Sequence, residues 1–451
     1  MKAFIGEVFR VATGILGDSS YGLIVSLSKD EVGHLIVGSL ALNPYVRVTG
    51  GSKVYAICQV AGIRLGDFII GALVDPVGNL ILASSRVDAS FRWSIESPAP
   101  GIISRQSVFE PLATGILSID SMIPIGRGQR ELIVGDRQTG KTSIGVDTIL
   151  NQRGSGILAV YVPIGQKASS ILEVYTSLIQ RDSIYYLSLV VSAASVSAVC
   201  QYLSAYTGCA LAEYFMIVKE VPSFLMLDDL SRHAVSYREI YLLLKRPPGR
   251  EAYPGEIFFV HSRLLERSAK LNSSLGGGSV TSFPVVETLA GDVSAYITTN
   301  VISITDGQVF LSIDLFLSGI KPACDVGLSV SRVGSAAQWD GMRLVSGSYK
   351  LELAQYIELQ AFSQFASDLG EDTKARLLRG GQLVEMLKQV TGSPLSLSLE
   401  VSLLSLANQE VIKSLTLSGV TKFVSSYITI PKWVFLFVPV RLVSLSLSSV
   451  G

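Results

Sequence analysis

The segment from Gly135 to Thr142, GDRQTGKT, has residue types and spacing that suit the binding of phosphate groups. It fits the pattern G-x-x-x-x-G-K-[ST], in which successive backbone N–H groups surround a β-phosphate and the following helix adds its positive N-terminal end. Lys141 is expected to reach the β- and γ-phosphate oxygens, and the Thr142 hydroxyl to bind Mg²⁺. The apolar run ELIVG before the loop and the helical pattern after it supply the context that the motif requires.

A Mg²⁺ ion bound to phosphate also needs an acidic partner, usually at the end of a neighbouring buried strand. The segment SFLMLDDLSRH places Asp228 after an apolar run, with Asp229 beside it. A carboxylate at this position could instead cap the helix that follows. Because a phosphate-binding loop lies upstream, we favour Asp228 as the Mg²⁺-side carboxylate, acting in part through water.

Hydrolysis of a nucleotide further needs a residue that orients or activates water, and this residue is usually a carboxylate. Gln166 stands at the end of the strand that follows the phosphate-loop helix, where such a residue would project. An amide can hold a water molecule, but it cannot act as a base near neutral pH. Since a glutamine positions the attacking water in some GTPases, Gln166 weakens the case for hydrolysis without excluding it.

Composition limits the function classes. Lys and Arg number 37, as do Asp and Glu, so nothing indicates a nucleic-acid footprint. The four cysteines show no C-x-x-C spacing, which argues against a disulfide framework or a zinc site. Only 16% of residues are charged and the mean hydropathy is +0.44, which indicates large buried interfaces, closeness to a membrane, or compositional drift. No signal peptide or transit helix is recognised at the start.

The elements that position these residues follow a changing pattern along the chain. Short alternating runs broken by Gly predict a small β-barrel or sandwich over residues 1–58. Residues 90–111 carry three prolines and are predicted to be a linker. Apolar strands then alternate with helical segments, which predicts an α/β fold with a doubly wound, mostly parallel sheet over residues 59–338. Helical periodicity predicts a helical domain over residues 339–451.

The apolar segment from Trp433 to Val450 has about the length of a membrane-spanning helix. Pro439 and Arg441 stand near its middle, and an arginine there costs roughly 2.5–3.5 kcal/mol on insertion. We therefore expect a hydrophobic end that packs on the helical domain or on a partner.

Several long segments resemble the α subunit of the rotary F-type ATP synthase. They include residues 124–143, residues 243–272 and the run VGLSVSRVGSAAQ at residues 326–338, and the similarity extends from about Gly101 to Gln389. GDRQTGKT and SRVGSAAQ are typical of α and separate it from its β homologue. In that family α and β subunits alternate, three of each, in a hexamer around a rotating shaft. The β sites are catalytic, whereas α holds Mg-ATP without turning it over.

The resemblance implies roles for individual residues. Gln166 occupies the position of the catalytic glutamate of β, which favours holding over hydrolysis, and Asp228 matches the Mg²⁺-side carboxylate. Arg332 matches the arginine that α extends into the neighbouring β site, where its planar charged fork stabilises the transferring phosphoryl group. Ser303 matches a residue near the same interface. The phosphate-binding residues are Gly135, Asp136, Arg137, Gln138, Thr139, Gly140, Lys141, Thr142 and Ser143.

The pocket for the nucleotide base departs from the family. Lys321–Pro322 stands where the family has Arg–Pro, and Gln389-Val390-Thr391 stands where it has Gln-Gly-Gln, while Phe316 fits the aromatic position. Lysine lacks the stacking plane of arginine, and threonine is shorter than glutamine. We therefore expect these residues to hold the base less tightly or through a different contact.

The resemblance also implies partners and a compartment. The partners are the β subunits, the γ subunit of the central shaft and the peripheral-stalk subunits, with membrane contact only through the assembled complex. The family's N-terminal helix and polar tail have no counterpart here, so extra subunits could cover the apolar C-terminus. The expected location is the matrix side of the mitochondrial inner membrane, and the alternative is the cytoplasmic face of a bacterial plasma membrane.

Two other functions are weighed against this one. The first is a self-sufficient catalytic ATPase, against which Gln166 and SRVGSAAQ both argue. The second is a hexameric RNA translocase, which would need a basic or aromatic strand-binding surface in its N-terminal domain. Few Lys, Arg or aromatic residues cluster in residues 1–58, so the sequence offers no such surface.

Overall fold

The computed structural model describes residues 7–12, 19–29, 35–42, 51–82, 91–363, 370–407, 412 and 415–428. The chain forms two compact units, each built from separate stretches. The first unit comprises Met1–Gln106, Gly154–Glu287 and Val293–Thr305, and the second comprises Ser107–Arg153, Thr288–Asp292 and Asp306–Gly451. The predicted domain limits at residues 58 and 338 stay predictions.

The strands of the described residues are, in chain order, β1 Glu7–Ala12, β2 Ser19–Lys29, β3 Leu35–Ala41, β4 Val54–Val60, β5 Gly62–Leu65, β6 Leu73–Val74, β7 Leu80–Leu82, β8 Phe91–Ser94, β9 Pro111–Leu112, β10 Ile125–Gly126, β11 Glu131–Gly135, β12 Leu158–Gln166, β13 Leu187–Val190, β14 Ser192–Ala193, β15 Pro222–Asp228, β16 Ser279–Glu287, β17 Gly307–Leu311 and β18 Val330–Ser331.

The α-helices are α1 Leu117–Met122, α2 Lys141–Asn151, α3 Ala168–Ile179, α4 Ala198–Ile217, α5 Leu230–Leu243, α6 Ile257–Leu265, α7 Tyr296–Ile304, α8 Ile313–Leu317, α9 Asp340–Ser346, α10 Tyr349–Ser363, α11 Glu371–Leu387, α12 Leu397–Ala407 and α13 Leu417–Ile428.

The first unit begins with an antiparallel sheet in the order β3-β2-β1-β4. Its alternating sequence turns Phe9, Val11 and Ile24 to one side, where they form a small buried cluster. Strands are therefore found where the alternation predicts them, and the closure of this sheet into a barrel stays a prediction.

The predicted linker over residues 90–111 needs correction, because it begins with a strand. β8 pairs antiparallel with β5, and the Trp93 indole N–H donates a hydrogen bond to Glu213 Oε2 at 3.3 Å. The prolines that suggested a linker all follow β8 in the sequence. The strand's partner β5 lies earlier in the chain, so the local pattern carried no sign of the pairing.

The main sheet of the first unit has the order β16-β15-β12-β13-β6-β7. The pairings from β16 to β6 are parallel, and only β7 returns antiparallel. β12, β15 and β16 are buried along nearly their whole length, as expected for apolar strands with both faces covered. α4 is also buried almost throughout, and its Glu213 carboxylate accepts a hydrogen bond of 2.6 Å from Nε of the buried Arg267.

The second unit contains the three-stranded arrangement β18-β17-β11, in which β11 and β17 are parallel. Its C-terminal part consists of α9 to α13, and the Tyr349 hydroxyl of α10 donates to the carbonyl of Leu404 in α12 at 2.7 Å. The predicted α/β fold class, with parallel strands in the middle of the chain and helices at its C-terminal end, is confirmed.

The predicted apolar end from Trp433 to Val450 lies outside the described residues. Within the residues that the structure does describe, none of the helices is both long and apolar enough to cross a membrane.

Two buried carboxyl groups lie together in the second unit, Asp120 on α1 and Glu400 on α12. Asp120 accepts hydrogen bonds from the Thr114 N–H and hydroxyl and from the Gly115 N–H at 2.8 to 3.0 Å. Burial raises the pKa of Asp120 to about 6 against the lowering effect of these bonds. Burial, and then the charge of Asp120, raise the pKa of Glu400 well above its usual range. The ionised Asp120 therefore favours a protonated Glu400.

Replacing Glu400 by Gln should reduce the pH dependence of stability. The pKa values of Asp120 and Glu400 are higher in the folded chain than in the unfolded chain, so the folded chain holds protons that the unfolded chain has released. The free energy of unfolding therefore falls as the pH rises from about 4 through 6 and beyond. Glu400→Gln removes one such group, and we expect it to raise the free energy of unfolding at pH 8 by about 1–2 kcal/mol. Urea unfolding between pH 4 and pH 8 measures this.

The matched control is Glu358→Gln, because Glu358 is exposed on α10. This variant should follow the unchanged chain at every pH. A Glu400→Gln variant whose stability falls with pH as steeply as that of the unchanged chain would contradict the raised pKa of Glu400.

Candidate nucleotide site

The predicted phosphate loop connects the end of β11 to the start of α2. A Cβ atom at Gly135 would lie 2.7 Å from the carbonyl oxygen of Leu311, so only glycine allows this close approach. Gln138 and Gly140 have left-handed φ values of 63° and 94°. Because α2 begins at Lys141, the positive N-terminal end of this helix meets the loop, which suits an anion.

Asp136 anchors the loop to residues 288–291. Its buried carboxylate accepts hydrogen bonds from the Thr288 hydroxyl at 2.7 Å and from the Gly291 N–H at 2.9 Å. The Thr288 N–H in turn donates to the carbonyl of Gly135 at 3.0 Å. The side chain of Asp136 therefore holds the loop in place and does not line the cavity.

A cavity of about 340 Å³ opens in front of the loop. Two ends are distinguished by the residues that line them: the loop and the start of α2 form one, and residues around Phe316, Lys321 and Gln389 form the other. The lining residues are Ile116, Gln138, Thr139, Gly140, Lys141, Thr142, Ser143, Ile144, Asp147, Phe316, Lys321, Pro322, Ala323, Gln389, Val390 and Thr391.

Most of the residues predicted from the sequence thus come together around one cavity. Of the predicted loop residues, Gly135, Asp136 and Arg137 do not line it. Ile116 and Asp147 line the cavity and were missed, because no motif marks them and only the folding of α1 and α2 brings them there.

The arrangement fits a nucleoside triphosphate. The Lys141 ammonium donates to the carbonyl oxygens of Gly135, at 2.9 Å, and Asp136, which places its charge at the mouth of the loop. At the other end, Lys321 Nζ lies 4.7 Å from the centroid of the Phe316 ring. A cationic, N–H-rich end suits phosphate oxygens, and an aromatic end suits a base.

The predicted Mg²⁺ ligands belong to different units. The Thr142 side chain lines the cavity of the second unit, whereas Asp228 is buried at the end of β15 in the first. The Tyr161 hydroxyl donates to Asp228 Oδ2 at 3.3 Å. The hydroxyl of Thr142 and the carboxylate of Asp228 are both suitable oxygen ligands for Mg²⁺, and their joint role stays a prediction.

Asp229, not Asp228, is the helix cap. Its carboxylate accepts a hydrogen bond of 2.6 Å from the Ser231 N–H at the start of α5. Burial, and then the charge of Asp228, raise the pKa of Asp229 to about 7. The helix-cap role that was weighed for Asp228 is therefore taken by its neighbour.

Gln166 ends β12 in the first unit, half-buried. Its Nε2 donates to the backbone carbonyl of Asp228 at 3.3 Å. The amide thus uses a donor that a glutamate side chain would lack.

Arg332 follows the short strand β18, and its side chain is exposed. Its N–H donates to the carbonyl of Asp306 at 2.9 Å. The Asp306 carboxylate is bound in turn by Nε and Nη2 of Arg130 at 2.9 and 2.8 Å. The backbone that carries Arg332 is therefore tied to Asp306, while its side chain is exposed. Ser303, on α7 of the first unit, bonds within its own helix to the carbonyl of Asn300 at 2.7 Å.

The loop, the cavity and the parallel strands define a nucleotide-binding protein of the P-loop class. Two family models match the chain: "ATP synthase alpha/beta family, nucleotide-binding domain" over residues 115–331, and "ATP synthase alpha/beta chain, C terminal domain" over residues 338–432. Together they cover more than two thirds of the 451 residues. The chain belongs to the ATP synthase alpha/beta family. Both models describe α and β chains alike.

Replacing Lys141 by Ala should abolish most of the nucleotide binding. The change removes a positive charge and its charge-assisted hydrogen bonds to phosphate, so we expect the Kd for Mg-ATP to rise by about a hundredfold. Equilibrium dialysis of the purified variant measures it. Lys374→Ala is the control, since Lys374 is exposed on α11 and pairs with Glu371 away from the cavity lining. Equal affinities of both variants would place the phosphates elsewhere.

Proposed function

We propose that this chain is the non-catalytic, α-type subunit of a proton-translocating F-type ATP synthase. In this role it holds Mg-ATP in its own cavity and alternates with β subunits in a hexamer. It donates Arg332 to the adjacent β catalytic site during ATP synthesis and hydrolysis. The proposal starts from membership of the ATP synthase alpha/beta family, and Gln166 and Arg332 favour α over β.

The observation that carries the non-catalytic role is Gln166. An amide cannot take a proton from water near neutral pH, and Nε2 of Gln166 already donates to the backbone of Asp228. The buried Asp229 caps α5 and is thereby committed to the helix. The side chains around the end of β12 therefore favour the retention of an uncleaved triphosphate over its hydrolysis.

The chain's own residues have separate tasks in this proposal. The loop N–H groups and Lys141 bind the phosphates, and the Phe316 end of the cavity accommodates the base. Thr142 and Asp228 hold Mg²⁺, in part through water. Bound Mg²⁺ supplies positive charge that neutralises the phosphate oxygens. Nothing in this set takes a proton from water.

The second supporting observation is the exposed Arg332. Leu328 and Val330, close before it in sequence, have 52% and 46% of their surface exposed. Large apolar side chains beside an exposed arginine suit a contact with another chain. The motif SRVGSAAQ, which contains Arg332, is the α-typical one.

The proposal includes partners and a location. Beside the β subunits, the partners are the central-shaft γ subunit and the peripheral-stalk subunits, and extra subunits cover the apolar C-terminus. The complex is placed on the matrix side of the mitochondrial inner membrane, with the cytoplasmic face of a bacterial plasma membrane as the alternative. The low share of charged residues, 16%, supports extensive burial in an assembly.

A single-turnover assay tests whether the chain holds or hydrolyses its nucleotide. Purified chain is loaded with γ-labelled Mg-ATP, excess is removed, and retention and phosphate release are followed together. We expect the label to stay uncleaved over many minutes. Phosphate release that Lys141→Ala abolishes would make the chain an ATPase in its own right, whereas release that survives this change indicates contamination.

Replacing Arg332 by Ala should impair the assembled complex and leave the chain's own site intact. An arginine finger contributes about 10³-fold or more to turnover, so we expect kcat of the reconstituted hexamer to fall by about that factor. Binding of Mg-ATP to the variant chain alone should not change. Arg343→Ala, at an exposed position on α9, is the control and should keep full turnover. Normal turnover of the Arg332→Ala hexamer would remove the finger role.

A further inference from the structure

The two ends of the cavity suit different parts of a nucleotide. At the loop end, Lys141 and the first N–H groups of α2 offer charge and several donors to phosphate oxygens. A nucleotide whose phosphates lie there extends its base toward Phe316 and Lys321. The selectivity for a particular base therefore depends on the polar groups at that second end.

Gln389 has the one amide side chain at that end of the cavity, and its donors are already used. Nε2 donates to the carbonyl oxygens of Gly115 at 2.7 Å and Ser393 at 2.8 Å. Oε1 accepts the Leu117 N–H at 3.3 Å, and the Gln389 N–H donates to the carbonyl of Lys321 at 2.7 Å. Gln389 thus ties the cavity wall together, and both of its N–H donors are unavailable to a base.

Asp147 has a similar task on the other side of the wall. Its Oδ1 accepts the Gly392 N–H at 2.7 Å, which joins the segment after Gln389 to α2. Asp147 is buried although it borders the cavity. It therefore positions the wall, and its Oδ1 is already occupied by this bond.

The remaining polar side chains at this end are Lys321 and Thr391. Adenine carries an amino donor at the position where guanine carries a carbonyl acceptor, so telling them apart needs a fixed acceptor or a fixed donor. The Thr391 hydroxyl is exposed and can act as either. Lys321 only donates, and both purines offer it the same N7 acceptor. The ammonium and the Phe316 ring also contact any base through its face.

We propose that this site selects its nucleotide by the triphosphate and stacking, and that it binds GTP nearly as tightly as ATP. A site built to hydrogen-bond a substrate rejects an analogue by about 10⁴-fold, whereas a site without such readers discriminates weakly. The Kd values for Mg-ATP and Mg-GTP should differ by less than about tenfold. The inference rests on the proposed function, since it assumes phosphates at the loop.

Equilibrium dialysis of the purified chain with Mg-ATP and with Mg-GTP tests it. Thr391→Gln should increase the preference for one purine several-fold, because it adds an amide that can read the base edge. Gln389→Leu should weaken both nucleotides by a similar factor, because it loosens the wall and removes no base reader. Lys321→Met should also weaken both together.

The outcomes separate the two proposals. A preference for either purine above about tenfold, with binding still lost in Lys141→Ala, overturns the base inference alone. A Gln389→Leu variant that loses ATP binding and keeps GTP binding also overturns it, because the amide would then read adenine. No Lys141-dependent binding of either nucleotide overturns the proposed function itself.

Discussion

The phosphate loop depends on a contact between its own Asp136 and a distant segment of the chain. A left-handed φ at Gln138 costs free energy, because the residue carries a Cβ, and such a conformation persists only where its surroundings hold it. The buried Asp136 carboxylate provides this support by binding Thr288, 152 residues further along the chain. The motif therefore specifies the loop's residues, while the strand-to-helix context and this distant contact specify its geometry.

The base end of the cavity is likewise held by hydrogen bonds within the protein. Polar side chains that are shielded from water need partners. The half-buried Gln389 and the buried Asp147 find them in the backbone of the cavity wall. The wall gains rigidity and loses the means to read a base. The loop end of the cavity thus recognises the charge of the phosphates. The Phe316 end accommodates the base by its shape, with little selectivity through hydrogen bonds.

Sequence reasoning worked where the determining interactions are local. The glycine spacing of the loop, the apolar parallel strands and the periodicity of the C-terminal helices all lie within short windows, so their elements could be predicted. It failed where the partner is distant. The linker prediction is wrong for β8, because its partner β5 leaves no local sign in the sequence. Asp147 and Ile116 reach the cavity only through tertiary packing. Similarly, only the backbone geometry shows that Asp229 caps α5.

The amide at position 166 is matched to its surroundings. Nε2 of Gln166 donates to the carbonyl of Asp228, and the buried carboxyl groups of Asp228 and Asp229 stand next to each other in the sequence. A glutamate at this position would set an acceptor against that carbonyl and bring a third negative charge to a buried acidic pair, which costs free energy. The first unit therefore favours a neutral donor at the end of β12. A glutamate at position 166 would therefore cost free energy unless the groups around Asp228 and Asp229 changed with it.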